Sequence, residues 1–235
     1  MASLILILDD DPEFRRLLLP ALTGRGHRVI ETARAEEANR VIESVTPDLL
    51  IVDGLLPDMD GATWIGTLPA FLKKKPVVFI SSFWRSLRDH QRLTTKLGVA
   101  LVVHKPVSPA VLAEQVERLL GLRESTPAPE LAPEALAAMV QMRADYARDL
   151  PGKLEALVVS VVAARAAQAE VALRHEARTL AHRISGTAGS YGFPEVGSAC
   201  AQLEELIVGL GEIPKKALPA GWTSVAQACE TVLAA

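Results

Sequence analysis

The stretch SLILILDDD, residues 3–11, joins an uninterrupted apolar run to three consecutive aspartates. A strand that is apolar on both faces belongs in a parallel sheet covered on both sides, since alternation appears only where one face meets water. Outward from it, short β-forming runs recur at 27–31, 49–53, 76–81 and 101–104. Helical patterns fall between them, over 14–22, 35–45 and 85–97. A last helix opens with Ser108 as N-cap and Pro109 at its first position, and runs to about Leu120. Five strands alternating with five helices predict a doubly wound α/β domain with a five-stranded parallel sheet over residues 1–122.

Beyond that the texture changes. RESTPAPELAP (123–133) holds three prolines in a short polar stretch, so residues 123–132 read as a stiffened linker. No strand-like run follows. Alanine-rich helical patterns occupy 133–150, 154–168, 171–191, 194–210 and 218–233, with breaks expected at Pro151-Gly152, 192–194 and 211–214. They predict an all-α antiparallel bundle over residues 133–235.

The composition narrows the function classes. At 235 residues, two domains are favoured over one. Lys plus Arg total 25 against 28 Asp plus Glu, and the signs balance in each half, so direct nucleic-acid binding is not expected. Cys200 and Cys229 are too few and too far apart for a metal site or a disulfide scaffold. They read as small buried residues, with one long-range bridge as the alternative. The apolar opening runs into aspartates without a cationic flank, and the run 156–164 is too short to span a bilayer. A cytoplasmic location without membrane insertion is the expectation.

Ligands of an open parallel sheet bind outside the carboxyl ends of its strands. Those ends carry Asp9, Asp10 and Asp11 after the first strand, Asp53 after the third, Ser81 after the fourth and Lys105-Pro106 after the fifth. Clustered carboxylates without His or Cys suit a hard cation, Mg²⁺ rather than Zn²⁺. Lys105 would neutralise a phosphoryl oxygen as a point charge. Helix capping alone would explain one acidic run. It does not explain a lysine, a serine and a further aspartate at equivalent strand ends.

With LILILDDDPEFRR (4–16), IVDGLLPDMDG (51–61), PVVFIS (76–81) and HKP (104–106) in this order, residues 1–122 resemble a response-regulator receiver domain. The resemblance implies Asp53 as phosphoacceptor and Asp9 and Asp10 as the acidic pair. It implies Mg²⁺ held by Asp10, Asp53 and the Leu55 carbonyl, Ser81 as the hydroxyl on the acyl phosphate, Lys105 as its lysine, and Pro106 at a cis-proline position. It also implies that the domain promotes its own Mg²⁺-dependent phosphorylation and dephosphorylation without being an enzyme toward other substrates. Two departures stand out. Val102 occupies the position where the family carries an aromatic switch residue, and Phe83-Trp84-Arg85 lengthens the segment after Ser81. Trp84 reads equally as packing or as partner contact.

In the bundle, Leu173, Ala177, Leu180, Ile184, Ala188 and Tyr191 recur at helical spacing and form the expected buried stripe. His182 lies about 200° from Leu180, so an exposed face is expected for it, shared with Arg178, Gly186 and Gly189. Glycines on a helix cost about 1 kcal/mol each relative to alanine, a cost that fits a need for close approach beside the imidazole. AHRISGTAGSYGF (181–193) resembles the histidine phosphotransfer domain, less specifically over 131–235. The match implies His182 as the phosphorylated residue and Gly186 as room for the phosphoryl group. Ser185 stands where the family often has a lysine, and Arg178 is expected to supply that charge. His175 shares the face, in HEARTL (175–180), which faintly resembles a kinase dimerisation helix, but a kinase would also need an ATP-binding domain, which is not expected here. The reading is a two-component phosphorelay protein using Asp53 and His182. Its partners would be a sensor histidine kinase, another receiver or a phosphotransfer protein. The alternative is a phosphorylation-regulated interaction module with an inert His182.

Overall fold

The computed structural model describes residues 2–82, 90–122, 133–166, 171–211 and 217–235. Trp84 and its neighbours, the first part of the helix expected at 85–97, and the linker 123–132 lie outside the described residues. The chain divides into two compact units, Met1–Met139 and Val140–Ala235.

The first unit holds five strands, β1 (Leu4–Leu8), β2 (Arg28–Thr32), β3 (Leu49–Asp53), β4 (Val77–Ser81) and β5 (Leu101–His104). All pair in parallel, in the order β2-β1-β3-β4-β5. The three central strands are buried along nearly their whole length, as their apolar runs require. Successive side chains feed two cores. Leu6, Leu8, Leu50, Val52 and Phe79 meet Trp64 on one face, while Ile5, Ile7, Ile51, Val78 and Ile80 meet Phe14, Leu18, Leu112 and Val116 on the other.

The helices are α1 (Pro12–Thr23), α2 (Ala35–Ser44), α3 (Gly61–Thr67) and α4 (Pro109–Leu119). The aspartate run does cap α1: Asp11 Oδ1 accepts from the Glu13 and Phe14 amides at 2.9 and 3.4 Å, with Pro12 in the first turn. Asp9 and Asp10 stand just before this cap, at the carboxyl end of β1. Helix α2 is capped from a distance, its Ala35 and Glu36 amides donating to Asp58 at 3.1 Å each. Ser108 takes the N-cap position of α4, but its side chain makes no capping bond. Between β4 and β5 the described part is one wide helical turn, Arg92–Lys96.

The second unit departs from the expected helix count. The pattern breaks at Pro151-Gly152 in sequence, yet α5 (Pro133–Ala166) runs straight through them for 34 residues. Proline removes one amide donor and crowds the preceding turn, which ordinarily ends a helix. Here Pro151 and Gly152 are exposed, while Tyr146, Leu150, Leu157, Val161 and Ala164 continue one buried stripe across them. Continuous burial outweighs a single lost hydrogen bond. Among the described residues three helices follow, α6 (Val171–Thr187), α7 (Pro194–Gly209) and α8 (Leu218–Ala234). The Tyr146 and Tyr191 rings stack at 4.4 Å and tie α5 to the turn after α6. Among the described residues no helix is long and apolar enough to cross a membrane.

Candidate functional sites

Parallel register brings the carboxyl ends of β1, β3, β4 and β5 to one edge, and the sequence-predicted groups meet there. The Lys105 ammonium donates to Asp9 Oδ2 at 2.9 Å and lies 2.9 Å from Asp53 Oδ1, all three side chains being nearly inaccessible to solvent. Asp53 Oδ2 accepts from the Leu55 amide at 3.0 Å, and Asp9 Oδ1 accepts from the Asp11 amide at 2.9 Å. Ser81 is buried at the end of β4, and its carbonyl accepts the Lys105 amide at 3.2 Å. The peptide bond Lys105-Pro106 is cis, as the motif implies. The Lys105 ammonium lies over the Phe14 ring, 4.2 Å from its centroid.

Asp9, Asp10 and Asp53 each offer an oxygen within 4.8 Å of the others. Burial pushes the Asp9 carboxyl up to about 7, with Lys105 opposing and the neighbouring Asp53 and Asp11 adding to the rise. Burial also works against the Lys105 charge, but Asp53 and Asp9 outweigh it and hold the ammonium well above the ordinary lysine range. Three buried carboxyl groups thus share this edge with one ammonium, and their all-oxygen donor set fits a hard divalent cation.

Two glycines that the sequence reading passed over shape this edge. A Cβ at Gly61 would fall 1.9 Å from the Asp53 carbonyl oxygen, and one at Gly54 would fall 2.8 Å from Ser81 Oγ. Glycine there is required by contact rather than by backbone angle. The GLLPDMDG run itself (54–61) carried this signal, with a glycine at each end of the loop after Asp53.

The bundle histidine is a correction. His182 was expected on an exposed face; its ring is 2% exposed. The predicted stripe is buried at Ala177, Ile184, Ala188 and Tyr191, but α7 covers a second side of α6. Helices approach closely there: a Cβ on Gly197 would lie 3.3 Å from the Gly189 nitrogen and the Ser185 carbonyl oxygen. Gly189 therefore serves helix packing. Gly186 is buried on the same helix.

Glu204 of α7, which sequence reading missed, faces the ring. Its oxygens lie 3.1 and 3.0 Å from His182 Nδ1, and the carboxylate is fully buried. An ionised carboxylate there accepts from an Nδ1–H, and in a neutral ring so held the lone pair sits on Nε2. Arg178 Nε lies 3.5 Å from Glu204 Oε1. Ser185 donates its hydroxyl to the His182 carbonyl at 2.8 Å. Glu204 was detectable as a charged residue inside the apolar stripe of Val196, Cys200, Leu203 and Ile207. His175, on the first half of α6, is exposed. Cys200 and Cys229 are both free and buried, and burial pushes the Cys200 thiol up to about 12.

Comparison with known proteins matches both units. Residues 5–117 match the response regulator receiver domain model and residues 138–235 the Hpt domain model. Sensor protein GacS of Pseudomonas syringae pv. syringae is 26% identical over 228 residues, covering 88% of this chain and 25% of that protein. Transcriptional regulatory protein KdpE of Mycobacterium tuberculosis is 35% identical over 130 residues, covering 55% of each. The crystal structure of the signal receiver domain of a signal transduction histidine kinase from Syntrophus aciditrophicus has 30% identity and a TM-score of 0.47, covering 55% of this chain and 98% of that one. The chain thus spans a quarter to about half the length of these curated relatives. It belongs to the response regulator receiver family over residues 5–117 and to the Hpt family over residues 138–235.

Proposed function

We propose that the chain receives a phosphoryl group on Asp53 and that His182 is a second station, exchanging phosphoryl with a partner's receiver or histidine. The observation that carries this reading is the Lys105 ammonium held between Asp9 and Asp53 at 2.9 Å from each. That geometry lets one fixed cation follow the charge. As Asp53 spends a lone pair on phosphorus, Lys105 keeps its hold on Asp9 and meets the phosphoryl oxygens. Ser81, one strand over, supplies a hydroxyl to the same group. Asp9, Asp10, Asp53 and the Leu55 carbonyl would hold Mg²⁺, which when bound shields the incoming phosphoryl charge.

In the bundle, the Nδ1–H tautomer leaves Nε2 as nucleophile. The buried Glu204 carboxylate then stabilises the positive charge that builds on the ring as Nε2 attacks, the role an orienting acid plays beside any catalytic imidazole. Because the ring is 2% exposed, a donor reaches Nε2 only when the surrounding groups open. Gly186 would keep the space beside the ring clear. Such a hydrogen-bonded, tautomer-fixed histidine supports the relay reading over an inert one. We take the receiver to promote its own phosphorylation and dephosphorylation, with a sensor histidine kinase or another relay protein as partner. The domain limits proposed are 1–122 and 133–235.

Phosphotransfer profiling of the wild type, Asp53→Asn and His182→Gln against candidate kinases tests this. Base-labile label lost in Asp53→Asn and acid-labile label lost in His182→Gln are the expected results. Label confined to Asp53 with every donor would overturn the second station.

A further inference from the structure

Arg178 was expected from sequence to meet the phosphoryl group directly. In the structure it also meets a carboxylate. Its Nε lies 3.5 Å from Glu204 Oε1, on the same carboxylate that grips His182 Nδ1 at 3.0–3.1 Å. We propose that Arg178 is a positioning residue acting through Glu204: it keeps that carboxylate oriented toward Nδ1, and so holds His182 in the tautomer whose Nε2 is the nucleophile. The proposal deepens the relay reading of His182 and rests on it.

The physical need is specific. Glu204 is fully buried, and a carboxylate withdrawn from water needs a compensating charge. A neutral imidazole supplies a hydrogen bond but no charge. Arg178, whose side chain is 30% exposed, supplies that charge from a side chain that is only partly buried. Ser185, where related domains often have a lysine, is spent on the His182 carbonyl at 2.8 Å and brings no charge. Without Arg178 the carboxylate would lose a contact that fixes its orientation and could turn away from Nδ1. The imidazole would then relax toward the Nε2–H tautomer, which has no lone pair on the attacking nitrogen.

The transfer step balances within this arrangement. A bond forms between Nε2 and phosphorus as the bond from phosphorus to the donor's carboxylate oxygen breaks, and that electron pair leaves with the carboxylate. The Nδ1 proton stays in place, shared with Glu204. The positive charge acquired by the ring is met by the carboxylate at 3.0 Å rather than by solvent. Reverse transfer uses the same contacts.

The test uses the full chain in an Asp53→Asn background, with potassium phosphoramidate as phosphoryl donor so that no kinase partner is required. His182 is assigned by comparison with His182→Gln. Long-range proton–nitrogen NMR reads the tautomer, and acid-labile label reads phosphorylation. Expected are an Nδ1–H tautomer in the parent chain, a shift toward Nε2–H in Arg178→Ala, and phosphorylation slowed on the order of tenfold, the usual cost of losing a group that orients a reacting imidazole. Arg178→Lys should restore the tautomer and much of the rate, since an ion pair of this length needs charge rather than the planar fork. Glu204→Gln, which keeps the shape and loses the charge, should be as slow as Arg178→Ala. Because Arg178 is partly exposed, its replacement leaves the α6–α7 packing intact. An unchanged tautomer and rate in Arg178→Ala, with faster loss of the attached phosphoryl group, would place Arg178 on the phosphate and overturn the proposal. An Nε2–H tautomer in the parent chain overturns the proposal alone. An Nδ1–H ring that never takes label overturns the relay role of His182 and the proposal with it.

Discussion

A single ammonium settles most of the electrostatics of the receiver site. Lys105 is 3% exposed and faces two buried carboxylates, so its removal leaves charge without a partner. Breaking a buried pair from one side costs about 3–5 kcal/mol. Lys105→Met should therefore lower the stability of the first unit by about 3 kcal/mol in urea without divalent cation, and added Mg²⁺ should return part of the loss. An Mg²⁺-independent loss would show that the pocket does not trade one cation for the other. On the bundle side the same logic was less legible in the sequence. His182 was identifiable from its spacing to Gly186, but its burial was not, because periodicity along one helix does not reveal how many neighbours cover it. Glu204 lies 22 residues from His182, and only the α6–α7 packing makes the two neighbours.

Elements carry two further expectations. The turn after α1 holds Arg25, which pairs with Glu117 of α4 at 3.3 Å, and His27, buried with neither ring nitrogen hydrogen-bonded. Burial lowers the His27 pKa from its ordinary 6.5, with Glu117 opposing and the amino terminus and Arg25 adding. A depressed folded value means the unfolded chain binds the proton first, so His27's contribution is present above about 6.5 and is lost as pH falls. Asp9 acts with the opposite sign, its raised folded value favouring the folded state as pH falls from about 7. The difference between wild type and His27→Phe isolates the histidine: wild-type unfolding free energy should decline more steeply from pH 7 to pH 5. Parallel curves would sink this account. In the second unit, α5 tolerates Pro151 because its buried stripe runs past it. Pro151→Ala should stabilise that unit, by up to about 3 kcal/mol on helix propensity alone, as read by guanidinium unfolding. The proline was visible in the sequence and the continuity of α5 was not, because a helix break is a local preference that tertiary burial overrides.

At the scale of the whole molecule, two units with separate cores predict separate responses to ligand. If the acidic pocket takes Mg²⁺ as proposed, and only when folded, the ion should stabilise it by about 1.4 kcal/mol per tenfold excess over its dissociation constant. A thermal scan should show the receiver transition rising with Mg²⁺ while the bundle transition stays fixed, and Asp10→Asn should abolish the rise. Movement of both transitions together would contradict independent units. What the sequence by itself determined is the alternating α/β half, the helical half and the cluster of Asp9, Asp10, Asp53, Ser81 and Lys105. Strand ends in a parallel sheet share one edge whatever their spacing in the chain, so a motif at each end already implies a meeting. Tertiary structure alone decided that α5 is unbroken, that His182 is buried, and that Arg178 and Glu204 stand behind its imidazole. Helix packing joins residues by faces rather than by ends, and which faces meet depends on the close approach at Gly197 and the cores on either side.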